Sequence, residues 1–125
     1  DWRYKIYRAT DNLKTEKYPF RAFCGGNVCF HRSLLEVVGG FDESFTAWGA
    51  EDTEFGYRVY NHGYWFIPVD GAGALHQEPA QGSNETDRDA GSAITVSILI
   101  KSARTYEQHG NRSPPPYTEG TVLNA

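Results

Sequence analysis

Glycine sets the scale of what this chain can build. The pairs Gly25-Gly26 and Gly39-Gly40, followed by Gly63 and Asp70-Gly71, divide most of it into short segments. Lacking a Cβ, glycine stops helices and weakens strands, so the elements between these stops have to be brief. No apolar run approaches the roughly 20 residues that a membrane-spanning helix needs. At 125 residues one domain is expected, burying about two-thirds of the surface that its extended chain exposes. The charge balance of 12 Lys+Arg against 16 Asp+Glu gives a net −4. The basic residues are scattered rather than clustered, which argues against a nucleic-acid partner. The opening Asp1-Trp2-Arg3-Tyr4 has neither an initiator Met nor a leader pattern and reads as the interior of a longer protein.

Residues 1–22 show no clear period, and Lys14–Pro19 reads as a loop. Phe23–Phe30 reads as a short strand running through Gly25-Gly26. Ser33-Leu34-Leu35-Glu36 fits a capping box that opens a helix, and Gly39-Gly40 ends it. A second helix is predicted over Ala50–His62, with Phe55 and Val59 one turn apart and Gly63 as its stop. Tyr64–Val69 reads as a buried strand or two and Ala72–His76 as another short strand. Along 90–105, Ile94, Val96, Ile98 and Ile100 alternate as a strand does, although Thr86-x-x-Asp89 resembles a helix start. From His109 onward Pro114-Pro115-Pro116 and the absence of an apolar period point to a linker or a disordered tail. Cys24 and Cys29 fall on opposite faces of the expected strand, so free thiols and a reducing compartment are expected. Without a CxxC pair a structural zinc site is not expected.

The densest chemistry lies in Trp48-Gly49-Ala50-Glu51-Asp52. Two carboxylates in the first turn of a helix meet the positive end of its dipole, which suits a general base or an acceptor of hydroxyl protons. They equally suit ordinary capping. Trp48 offers a flat face of the kind that stacks on a sugar ring. His76, at a strand end beside Gln77-Glu78, has the chemistry of a metal ligand, or of a satisfied polar residue. Gly25-Gly26-Asn27 either brings backbone close to a ligand or forms a β-bulge. Asn84-Glu85-Thr86 and Asn111-Arg112-Ser113 match the N-glycosylation pattern, which is common by chance.

Taken in order, Phe23-Cys24-Gly25-Gly26-Asn27-Val28, Val38-Gly39-Gly40-Phe41-Asp42-Glu43-Ser44-Phe45 and Trp48-Gly49-Ala50-Glu51-Asp52-Thr53-Glu54-Phe55-Gly56-Tyr57-Arg58 resemble the acceptor-side half of GT-A glycosyltransferases of family 2. Val69-Asp70-Gly71, Leu75-His76-Gln77-Glu78-Pro79 and the stretch from Asn84 to Gly91 are similar to the hexosamine-transferring module of bacterial chondroitin and hyaluronan polymerases. The resemblance covers roughly residues 20–105 and implies an α/β fold, the C-terminal half of a GT-A domain over 1–108. A mixed sheet flanked by helices would be followed by a disordered tail over 109–125. It also turns segment 86–105 from strand toward helix.

The same resemblance implies the roles. Asp52 would deprotonate the acceptor hydroxyl, with Glu51, Trp48, Gly49, Gly26 and Asn27 around the acceptor. His76 would complete a divalent-metal site for Mn²⁺ or Mg²⁺. Gln77, Glu78, Asn84 and Arg88 are further candidates. The partners implied are a UDP-sugar donor, bound mostly by an N-terminal half with its Asp-x-Asp motif that these residues lack, and a glycan acceptor. The expected activity is inverting transfer of an N-acetylhexosamine, and the fragment alone is expected to be inactive. A cytoplasmic location follows, peripheral to the inner membrane face at most, within a larger bacterial protein. Two rivals stand beside it: a galactosyltransferase-like or polypeptide-glycosylating relative, and a non-catalytic carbohydrate-binding module that needs neither Asp52 nor His76.

Overall fold

The computed structural model describes residues 2–46, 49–75 and 77. Trp48, His76, Glu78, Asn84 and Arg88, the segment 86–105 and the expected tail over 109–125 lie outside the described residues. The first element, α1, spans Arg3–Ala9, where the sequence shows no period. The reason is visible in its packing: none of its residues is buried, so no apolar stripe had to be written into it. At its end the Thr10 hydroxyl donates to the Ile6 carbonyl at 2.7 Å and accepts the Leu13 amide at 3.2 Å. Asp11, Asn12 and Leu13 then follow one another at positive φ, and the buried Leu13 side chain anchors this unusual turn. A 3₁₀ turn over Pro19–Ala22 comes next, with its proline in the first positions.

The predicted strand over Phe23–Phe30 is not formed as a ladder. Cys24 and Val28 are extended, but between them Gly25–Asn27 closes a 3₁₀ turn through a 3.1 Å bond from the Asn27 amide to the Cys24 carbonyl. A strand needs a neighbouring backbone to pair with. Among the described residues none is supplied here or along Tyr64–Val69, and no β-strand occurs. Cys24 and Cys29 are free thiols.

Helix α2 spans Ser33–Val38. It starts one residue earlier than a capping box on Ser33 requires, and the cap is different. His31 Nδ1 lies 2.8 Å from the Ser33 hydroxyl and accepts the Ser33 amide at 3.3 Å. An imidazole nitrogen thus takes the place expected of the serine oxygen, while Glu36 stays exposed. Gly39, at φ +82°, ends the helix as predicted, its amide donating to the Leu35 carbonyl at 2.9 Å.

Helix α3 spans Glu51–Asn61, within a residue of the predicted ends. Gly63 stops it at φ +89°, and the Tyr64 amide reaches back to the Val59 carbonyl. Its inner face carries Phe55 and Val59 into a core with Phe23, Leu34 and Val38, against which Phe30, Tyr64 and Phe66 pack. Phe55 is completely buried. Its ring stacks on Phe41 at 4.7 Å between centroids and meets Phe23 and Phe30 at 5.4 and 5.7 Å, so one side chain gathers three segments. The helix packs on the 3₁₀ turn Pro19–Ala22 and on α2.

A polar clamp holds α2 to α3. Arg58 Nε donates to the two oxygens of Glu54 at 2.8 and 3.0 Å, Nη1 to the Val38 carbonyl at 2.7 Å, and Nη2 to the Gly40 carbonyl at 2.8 Å. Carbonyls at and beyond the end of α2, which its own helix cannot satisfy, are thereby taken up by a guanidinium. No helix among the described residues is long and apolar enough to cross a membrane.

Candidate functional site

Two residues of unusual backbone turn the chain into α3. Gly49 lies at φ +116° and Ala50 at φ +63°, a left-handed pair that delivers the helix abruptly. The first intrahelical bond runs from the Glu54 amide to the Ala50 carbonyl at 2.9 Å, and no side chain caps the first turn from Ala50. Glu51, Asp52 and Glu54 all fall in this first turn, and they separate into three roles. Glu51 bends back on its own loop, where its Oε2 accepts the Gly49 amide at 3.1 Å. Glu54, only 1 % exposed, faces inward to Arg58. Asp52, half-buried, faces the glycine turn: the space that a side chain on Gly25 would fill is taken by its carboxylate.

The fold thereby brings together motifs that are far apart in sequence. Gly25, Gly26 and Asn27 form the turn against which Asp52 rests, and the Asn27 side-chain amide donates to the Ala72 carbonyl at 2.9 Å. That contact fastens the turn to the segment leading toward position 76. It also gives Asn27 a structural partner in addition to the acceptor role expected of it. Gly26 is exposed, with open space where a Cβ would stand. Gln77 is exposed.

Sequence reasoning named Gly25 with Gly26 and Asn27 as a close-approach turn but carried only the latter two into the site; the contact of Gly25 with Asp52 is long-range and has no local signal. The same reasoning passed over the Glu54–Arg58 clamp, visible as an acid and a base four apart on a helix. Two tyrosine hydroxyls are held above their ordinary range by burial. One is Tyr60, packed between Phe20 and Trp65; the other is Tyr7, where Arg3 pulls in the opposite direction. Both remain hydrogen-bond donors at neutral pH. Among the described residues no three His, Cys, Asp or Glu side chains converge as a cation site.

Residues 5–76 match the family described as the N-terminal domain of galactosyltransferase. The match covers more than half of the chain and takes in the glycine turn, the Trp48–Asp52 stretch and His76. The chain belongs to this glycosyltransferase family. Its relatives include the chondroitin synthase of Escherichia coli, 54% identical over 99 residues that make up 79% of this chain and 14% of the relative. The chondroitin synthase of Pasteurella multocida (strain Pm70) is 50% identical and the hyaluronan synthase of Pasteurella multocida 48% identical, each over 79% of this chain and 10% of the relative. The chain thus spans a small part of the length of these curated relatives.

Proposed function

We propose that this chain is the acceptor-side part of an inverting GT-A glycosyltransferase of family 2. It would transfer an N-acetylhexosamine from a UDP-sugar to the end of a glycosaminoglycan-like glycan, with Asp52 as the general base. The observation that carries the reading is the placement of Asp52. Of the three first-turn acids, Glu51 is turned back on its loop and Glu54 is turned inward to Arg58, while Asp52 is presented at the glycine turn of a second family motif. The names of the chondroitin and hyaluronan synthases support the substrate class.

In the proposed step the acceptor hydroxyl oxygen attacks the anomeric carbon of the donor and its proton passes to Asp52. The bond from that carbon to the diphosphate oxygen breaks, and its electron pair leaves with UDP. Attack from the face opposite the leaving group turns an α-linked donor into a β product. Gly26 lies on the acceptor side in this reading, the family resemblance assigns Trp48 to the same acceptor, and Glu51 holds the Gly49–Ala50 turn from which the base is projected. We assign the divalent cation, Mn²⁺ or Mg²⁺, to ligands outside the described residues, His76 among them; bound there, it would neutralise the departing diphosphate.

The test uses the full-length protein. Removing a positioned general base costs about 10²–10⁴-fold in rate, so Asp52→Asn should lose that much of kcat while donor binding stays near wild type. Near-normal turnover would remove Asp52 from the chemistry. Proton NMR of the new linkage checks the stereochemical course, and an α linkage from an α-linked donor would overturn the inverting mechanism. One observation favours a second donor: the matched family is described by galactosyltransferase. Transfer from UDP-galactose in preference to UDP-N-acetylhexosamines would select that alternative.

A further inference from the structure

Gly25 differs from the other described glycines in what stands against it. A Cβ built there would collide with Asp52 Oδ1 and lie 3.3 Å from Asp52 Cγ and 3.6 Å from Oδ2. A side chain at position 25 and the present place of the Asp52 carboxylate therefore exclude each other. The conflict is confined to those atoms. Gly25 is not among the glycines at positive φ, so an L-residue meets no left-handed backbone there. Every atom in the way belongs to the end of one side chain, which can rotate aside. Gly56 shows the opposite case, since a Cβ there would stand 2.8 Å from Phe23 Cβ and 3.0 Å from the Phe20 carbonyl oxygen, atoms fixed by the core.

The turn itself is held. Its far end is tied to Ala72 through the Asn27 amide at 2.9 Å, and it is closed internally by the Asn27 amide to the Cys24 carbonyl. When a side chain is introduced at position 25, the carboxylate gives way before the turn does. We infer that Gly25 is a positioning residue for Asp52: the missing side chain is what allows the carboxylate to sit over the Gly25–Asn27 turn in the place from which it receives the acceptor proton. This deepens the proposed function and rests on Asp52 being the base. Proton transfer needs heavy atoms about 2.6–3.2 Å apart, and a misplacement of about 1 Å at a reacting centre costs about 10²-fold.

The test compares Gly25→Ala, Asp52→Asn and the double variant in the full-length protein, with UDP-N-acetylhexosamine as donor and a glycosaminoglycan oligosaccharide as acceptor. Gly25→Ala is expected to lower kcat about 10²-fold while donor KM and the melting temperature stay at their wild-type values. On the Asp52→Asn background the same change should alter kcat by less than about threefold, because the group through which it acts has already been disabled. Wild-type kcat in Gly25→Ala beside an inactive Asp52→Asn overturns the positioning role and leaves the base assignment standing. An active Asp52→Asn overturns the base assignment, and the positioning role with it. Equal losses on both backgrounds, or a clearly lower melting temperature for Gly25→Ala, also overturn the inference, since the damage would then lie in the turn and not in one carboxylate.

Discussion

Arg58 joins a buried carboxylate on its own helix to two backbone carbonyls of the preceding segment, Val38 and Gly40. Its planar fork can serve both at once, which a lysine ammonium cannot do. Glu54 is buried, and its carboxylate lies 2.8 Å from that guanidinium. Removing one partner of a buried pair typically costs about 3–5 kcal/mol, and Arg58→Leu is expected to destabilise by that order. Arg58→Lys should recover part of the loss by keeping the charge while giving up the fork. Hydrogen exchange across α2 and α3 in the full-length protein measures both, and wild-type protection in Arg58→Leu would show that the clamp adds nothing. The acid–base spacing of this pair is written in the sequence. Its reach to Val38 and Gly40 is not, because the acceptors are carbonyls that every residue carries.

Helix α3 is the element on which the site depends, and Gly56 decides how closely it can lie against the Pro19–Ala22 turn and Phe23. Alanine in a helix interior is favoured over glycine by about 1 kcal/mol, so Gly56→Ala would stabilise an isolated helix. In the folded chain the added methyl meets Phe23 Cβ at 2.8 Å and the Phe20 carbonyl oxygen at 3.0 Å. Overpacking of this kind costs about 1–3 kcal/mol, and the contacts are with backbone and the root of a core side chain, so the net effect is expected to be a lower melting temperature. An unchanged or raised melting temperature would mean that α3 can step away from the turn without loss. Helices α2 and α3 were legible because glycines end them and because Phe55 and Val59 mark an inward face. Helix α1 was not legible, since an element that buries nothing carries no apolar period. The cap of α2 was misread because a histidine ring nitrogen two residues upstream serves where serine was expected. The expected strands depended on pairing partners, which a residue pattern alone does not supply. In the site, the two adjacent acids are told apart in the sequence only by the family resemblance; their different surroundings, Glu51 on the Gly49 amide and Asp52 at the missing side chain of Gly25, are set by long-range folding and the φ +63° turn at Ala50.

At the scale of the whole molecule the proposed site is one-sided. Ile67, Val69 and Leu75 are exposed along the segment that follows α3, Leu75 at 88 %. The chain makes up 14% of one relative and 10% of two others. A diphosphate needs several cationic or backbone donors, or a metal with its own acidic ligands, and the described residues hold no three-ligand cluster to provide the latter. The isolated 125-residue chain is therefore expected to bind UDP and UDP-N-acetylhexosamines at least about 100-fold more weakly than the full-length protein, a difference of about 2.7 kcal/mol. Calorimetric titration of both proteins with UDP, in buffer containing Mn²⁺, measures the difference, and far-UV circular dichroism establishes that the helices are present in the isolated chain. Equal affinity in a helical isolated chain would place the donor site within these residues and reverse the division of labour proposed here.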